Sequence, residues 1–292
     1  MENLRGIALM VASMAGFAVE DTLIKLTAAS LPSGQILVLL SLMGATIFAA
    51  MAWARGLTLV GPAIFQRSVV VRNASEMLGT VCYVSAFILA PLSIASAILQ
   101  ATPLVVTLGA AVVLGAPVGW RRWTAIAVGL AGVLIIVRPG AEGFQPASLL
   151  AVAAVVLLAA RDLATRTAPA HVASLVMAFY GFLAVMPAGA VLLQFQGGWQ
   201  PVSARNLGMM AMTAVVGVAA YYAIIAAMRI GDVAVVTPFR YSRIIFALIL
   251  GIAVFDESVD LWTLIGAGIV IGSGLYTLAR EARLRRRPAA GA

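Results

Sequence analysis

The sequence predicts an all-α integral membrane protein with ten transmembrane helices, arranged as two inverted five-helix repeats. Three observations predict it: the composition, the placement of the basic residues, and a charged motif that returns half-way along the chain. Of 292 residues, 63% are hydrophobic and 10% charged, and the mean hydropathy is +1.06. A soluble domain needs a polar surface, and this chain has too few polar side chains to cover one.

Runs of about 20 apolar residues, enough to cross a hydrocarbon core about 30 Å thick, set the candidate spans. They fall near 4–26, 33–53, 68–90, 93–114, 120–138, 147–167, 171–193, 206–227, 232–254 and 261–280, and only "APLS" divides the third from the fourth. Ten is even, so both termini are expected on one side. With the N-terminus in the cytoplasm, Arg5, Arg55, Arg67, Arg72, Arg121, Arg122, Arg161, Arg166, Arg229, Arg280 and the rest of the "REARLRRRP" tail lie at cytoplasmic ends, against Lys25, Arg138 and Arg205 outside. The positive-inside rule is strongly obeyed. Topology and contact with the lipid bilayer then account for the pI of about 10.5, without nucleic acid as a partner. "MENLRG" leads into an apolar stretch longer than a signal core, so the first span is expected to remain. The single Cys82 allows no intrachain disulfide, and the single His171 makes no metal site by itself. No cofactor is expected.

The repeat rests on two matches. "VEDTLIKL" carries Asp21 and Lys25 in the first span, and "ARDLATRT" carries Asp162 and Arg166 in the sixth, 141 positions later. At nearly that offset, "VVLGAPVGWRRWTAIAVG" after the fourth span answers "AVFDESVDLWTLIGAG" after the ninth. Five spans per half is odd, so the second copy enters the membrane from the opposite face, as in secondary transporters. The expected divisions are 1–140, 141–281 and a basic cytoplasmic tail, 282–292.

Ionisable groups inside a bilayer cost roughly 2.5–3.5 kcal/mol on insertion scales, so those present need partners or function. At 1.5 Å per residue, Glu76 and Arg240 each lie about 12 Å from the cytoplasmic end of their spans, and Arg243 about 4.5 Å deeper. Depth therefore pairs Glu76 with Arg240, as a tie between the halves, as a substrate contact, or as both. Tyr221, Tyr222 and Tyr241 offer flat faces and hydroxyls to an aromatic ligand, although tyrosine also marks membrane interfaces. Pro103 and Pro238 interrupt the fourth and ninth spans. Each frees a backbone carbonyl, Leu99 and Ala234, for a ligand or for a neighbour such as Gln100, unless it only kinks the helix.

Asp21 lies about 24 Å along the first span and Asp162 about 22 Å along the sixth, which runs the other way. The groups Glu20, Asp21, Lys25 and Arg161, Asp162, Arg166 are therefore expected at opposite mouths, as gates or as i,i+4 helix stabilisers. Asp232 reads as an N-cap. The glycines of "GLAG" and "GAGIVIGSG" fit close helix packing, with a homodimer contact as another use of the same face.

The chain resembles the ten-helix EamA-type drug/metabolite transporters in "GFAVEDTLIKL", "LSIASAILQATPLVVTLGAAVVLG" and "WRRWTAIAVGLAGVLIIVRPG". That family commonly carries an acid after the fourth helix. Here Ala116 and Pro117 replace it, while Glu257 retains it in the second half. "TPFRY" resembles importers of S-adenosylmethionine and riboflavin, and the opening "MENLRGIALMVASMAGFAVEDTLIKL" is most similar to the riboflavin carriers. The resemblance implies an inner-membrane carrier with both termini cytoplasmic, a cavity lined by helices 1, 3, 4, 6, 8 and 9, and riboflavin as the small-molecule substrate. S-adenosylmethionine uptake and export of amino acids or drugs are the alternatives within the same fold.

Other classes fit less well. No G-x-x-x-x-G-K-[ST] loop is present for ATP-driven pumping. An intramembrane enzyme would need a nucleophile or paired carboxylates, and Glu20, Asp21, Glu76 and Asp162 are too scattered. A channel would need a continuous polar lining, which the repeated acid-to-base pairs do not supply.

Overall fold

A computed structural model describes residues 2–116, 118–141, 143–169, 171–230 and 233–285. Within them the secondary structure is helical, and nine helical stretches are long and apolar enough to cross a membrane. The first half contains α1 (Glu2–Ala28), α2 (Ser33–Ala54), α3 (Arg67–Leu89), α4 (Leu92–Leu99), α5 (Thr102–Val113) and α6 (Trp120–Val137). The second contains α7 (Ser148–Arg166), α8 (Ser174–Gln194), α9 (Ala204–Ile230), α10 (Val233–Val236), α11 (Ser242–Phe255) and α12 (Leu261–Arg285). The tenth crossing is α3, whose 23 residues match its neighbours in length but carry Arg67, Arg72 and Glu76. Pro117, Asp232 and Arg286 onward lie outside the described residues, as do the side chains of Arg229, Arg283 and Arg285.

Apolar residues face outward as well as inward. Trp53, Leu89, Val113, Val191 and Ile249 are all exposed, as a lipid-facing surface requires. The largest apolar core gathers Ile36, Phe87, Leu92, Ile98, Leu104, Val133 and Ile244, drawn from both halves.

The main packing partners are α1 with α9, α3 with α7, α2 with α8 and α6 with α12. Every one of these couples one half to the other. A 141-residue shift exchanges the first two couples and maps each of the last two onto itself, which is what an inverted repeat with a two-fold axis in the membrane requires. The self-paired couples meet at glycines. A Cβ at Gly132 of α6 would stand 2.9 Å from the Gly266 carbonyl oxygen of α12, and one at Gly34 of α2 would stand 2.6 Å from that of Gly189 in α8. Only glycine permits backbones that close.

The fourth and ninth spans are each interrupted by a tighter turn, with the residues that flank it still in the right-handed helical region. Between α4 and α5 the helix lapses at Gln100 and Ala101, and between α10 and α11 it tightens to a 3₁₀ turn over Thr237–Tyr241. Gln100 and Tyr241 are themselves 141 positions apart. The two halves also finish these spans alike: Ala116 N–H donates to the Ala110 carbonyl at 3.0 Å, and Glu257 N–H to that of Gly251 at 3.1 Å. A left-handed residue precedes each, Gly115 at φ 65° and Asp256 at φ 52°.

Candidate transport site

The two breaks meet inside the protein, where Gln100 Nε2 donates to the Arg240 carbonyl at 3.3 Å. The carbonyl that Pro103 releases is not left open. Thr102 Oγ1 donates to Leu99 O at 2.6 Å, which returns the missing partner from within the break.

Beside the breaks, the first turn of α11 carries Arg243, whose Nη2 lies 2.6 Å from Asp21 Oδ2 of α1. Tyr83 of α3 donates its hydroxyl to the same oxygen at 3.0 Å and lies 3.3 Å from Ser96 Oγ of α4. The guanidinium also sits 5.3 Å from the Phe17 ring centre and 5.5 Å from that of Tyr83. Asp21 is thus held by a cation and a hydroxyl, and its cation by two aromatic faces. Tyr83, Ser96 and Phe17 were not singled out from the sequence, although the depth of Tyr83 could have suggested it.

The second charged cluster corrects an expectation. Glu76 pairs with Arg72 of its own helix at 3.1 Å and with Arg161 of α7 at 3.1 Å. Among the described residues it makes no pair with Arg240. Depth matches these two residues but leaves their direction around the bundle open, and α3 packs on α7 rather than on α11. Arg72 is further fixed by the Met177 carbonyl at 2.8 Å and Asn73 Oδ1 at 2.9 Å. Arg161 also holds Asp162 at 2.8 Å.

The expected i,i+4 pairs are corrected in the same way. Asp21 turns to Arg243 rather than to Lys25, and Asp162 to Arg161 rather than to Arg166. Lys25 Nζ instead lies 2.9 Å from Glu257 Oε1 and donates to the Ala90 carbonyl at 2.9 Å. The same carboxylate takes the backbone N–H groups of Leu92 and Ser93, at 2.6 and 3.0 Å, and the Ser93 hydroxyl at 2.7 Å. Glu257 therefore caps the N-terminus of α4 while binding α1. Burial pushes the carboxyl upward, but the hydrogen bonds from Ser93, Lys25 and Leu92 outweigh it and hold Glu257 below its ordinary value. With a depressed value the anionic contacts persist at pH values above the usual carboxylate range and through it. They are lost only as acidification passes the lowered value.

The other candidates occupy varied positions. Arg240 is exposed and, among the described residues, forms no ion pair. Tyr221 is half-buried, with its ring edge-on to Phe48 at 5.3 Å. Tyr222 is exposed. Tyr241 is buried, and its hydroxyl packs against Gly274 of α12 with no hydrogen-bond partner among the described residues. Glu20 is half-buried against Gly217 of α9. Pro238 lies within the 3₁₀ turn.

The geometry is that of two related half-bundles with their broken helices in contact. The model of the EamA-like transporter family matches residues 4–138 and 145–279. The chain belongs to this family. Like other EamA-like transporters it is a multi-pass membrane protein that carries small molecules. The riboflavin transporter of Vibrio cholerae serotype O1 is 30% identical, over 65% of this chain and 64% of its own length. An S-adenosylmethionine uptake transporter of Rickettsia prowazekii is 24% identical, over 73% of this chain and 71% of its own. The pseudopaline exporter CntI of Pseudomonas aeruginosa is 26% identical, over 94% and 96%. A solved crystal structure shares the fold at a TM-score of 0.58 and 21% identity, over 94% of this chain and 99% of its own.

Proposed function

We propose that this EamA-like transporter imports riboflavin across the bacterial inner membrane, with both termini in the cytoplasm and repeats at 1–140 and 141–281. The observation that carries the reading is the contact between the two interrupted spans, close to the aromatic faces of Phe17 and Tyr83 that flank Arg243. Interrupted helices bring polar groups to mid-membrane, where a substrate with hydroxyl and imide groups can compete for the contact between Gln100 and the Arg240 carbonyl. The similarity to riboflavin transporters names the first molecule to test. Growth of a riboflavin auxotroph on low vitamin should be rescued by this gene. A membrane-inserted protein that gives no rescue, and no riboflavin counterflow in proteoliposomes, would refute the substrate.

One observation favours S-adenosylmethionine as a second reading: the Arg240 guanidinium is exposed and has no ion-pair partner among the described residues. It suits the carboxylate of an amino-acid substrate, which riboflavin lacks. If that substrate is the true one, Arg240→Gln should weaken its counterflow about tenfold or more, the worth of one charge-assisted hydrogen bond, and leave any riboflavin counterflow unchanged. Equal loss for both substrates would assign Arg240 to the scaffold instead.

A further inference from the structure

The two mouths of the bundle are built from repeat-related parts, but only one of them carries a complete set. At the Lys25 mouth, Glu257 joins α1, α4 and the end of α11 through Lys25, Leu92 and Ser93. Its carboxylate lies over Gly251, where a Cβ would stand 2.6 Å from Oε2. A shift of 141 positions carries Lys25 onto Arg166, Glu257 onto Ala116, Gly251 onto Ala110 and Ser93 onto Ala234. The basic residue is therefore kept at the second mouth, and the three features that would engage it are gone. Arg166 is exposed and forms no ion pair among the described residues. The chain path that would present the acid survives, because Ala116 and Glu257 end their spans with the same backbone hydrogen bond.

We propose that Glu257 is a latch on one mouth only, so that the empty transporter rests with the Lys25 mouth shut and the Arg166 mouth unlatched. The inference builds on the carrier reading and not on the substrate. Alternating access exchanges two states related by the pseudo-two-fold, and in a symmetric chain their energies would be close. Here the state with the Lys25 mouth closed gains four contacts to one buried carboxylate, and the opposite state gains none of them. That bias also sets the direction in which substrate must work: binding from the Lys25 mouth must await release of the latch. In the orientation proposed above, that mouth faces the periplasm.

The test reads accessibility and needs no substrate, so a failure of riboflavin uptake leaves it intact. Ser96 of α4 lies one turn deeper than Ser93 and is fully buried. In full-length protein in proteoliposomes, with Cys82→Ala and Ser96→Cys, a membrane-impermeant maleimide is applied to the Lys25 face. Slow labelling is expected in this parent, and about tenfold faster labelling with Glu257→Gln as the closed state loses its advantage. Ala110→Gly with Ala116→Glu rebuilds the missing acid and its space at the far mouth. This pair should speed labelling severalfold although it lies away from the Lys25 mouth, and adding Arg166→Gln should cancel the gain. Arg166→Gln alone should label at the parental rate. The proposal is overturned if Glu257→Gln labels no faster than the parent, if the rebuilt acid leaves labelling unchanged, or if Arg166→Gln alone speeds it. Because the rebuilt acid leaves Glu257 in place, its effect cannot come from local unfolding around the latch.

Discussion

Arg243→Gln is expected to destabilise the protein by about 3–5 kcal/mol, the usual cost of leaving one member of a buried ion pair uncompensated. Asp21 would retain only the Tyr83 hydroxyl, and the Phe17 and Tyr83 faces would lose the cation they flank. Thermal unfolding in detergent should show a large fall in midpoint for the single variant. The double variant Asp21→Asn with Arg243→Gln should recover most of it, because neither charge is then left alone. A single variant as stable as the parent would remove the pair from the list of structural ties. A double variant that is stable but does not transport would show that the pair also serves the substrate or the conformational cycle.

The second large effect is expected at Glu76. Glu76→Gln leaves Arg72 with only the neutral Met177 carbonyl and Asn73 contacts, and Arg161 with Asp162 alone, at a cost of about 3 kcal/mol. The informative comparison is the choice of rescuer. Arg161→Gln should restore part of the lost stability, whereas Arg240→Gln should restore less, since Arg240 makes no ion pair with Glu76 among the described residues. Rescue by Arg240→Gln as large as that by Arg161→Gln would show that the two residues couple directly. The fall should also appear as weaker association between α3 and α7, detectable as faster proteolysis of the segment that joins α7 to α8.

The sequence made the spans legible because a bilayer imposes a minimum apolar length, and hydropathy records that length directly. It also made the repeat legible, because Asp21 and Asp162 share a neighbour four residues on. Partner choice was not legible in the same way. Rise per residue gives the depth of Glu76, Arg240 and Arg243, but which helices touch depends on packing across the axis, to which depth is blind. The acid at 257 was visible as a retained residue in one half and a missing one in the other. Its work was hidden until the turn after α11 was seen against the first turn of α4, more than 160 positions away. Local spacing also overstated the i,i+4 pairs. In water such pairs are favourable neighbours, but in a bundle a buried partner on another helix, with further hydrogen-bond donors around it, competes better.

The pairing of α1 with α9, α2 with α8, α3 with α7 and α6 with α12 has a consequence for how the polypeptide acquires its structure. Each repeat is a unit of symmetry without being a unit of folding. A half synthesised alone would insert its helices and then find the chief neighbour of nearly every one missing, so assembly must wait for the last segments to emerge. Covalent continuity between the halves contributes much less. A backbone cut introduced in the connection between α6 and α7, with both fragments produced together, should yield a protein that copurifies and still transports. Either fragment produced without the other should be degraded. The gene is thus one reading frame encoding two interlocked pieces, each acting as the other's template.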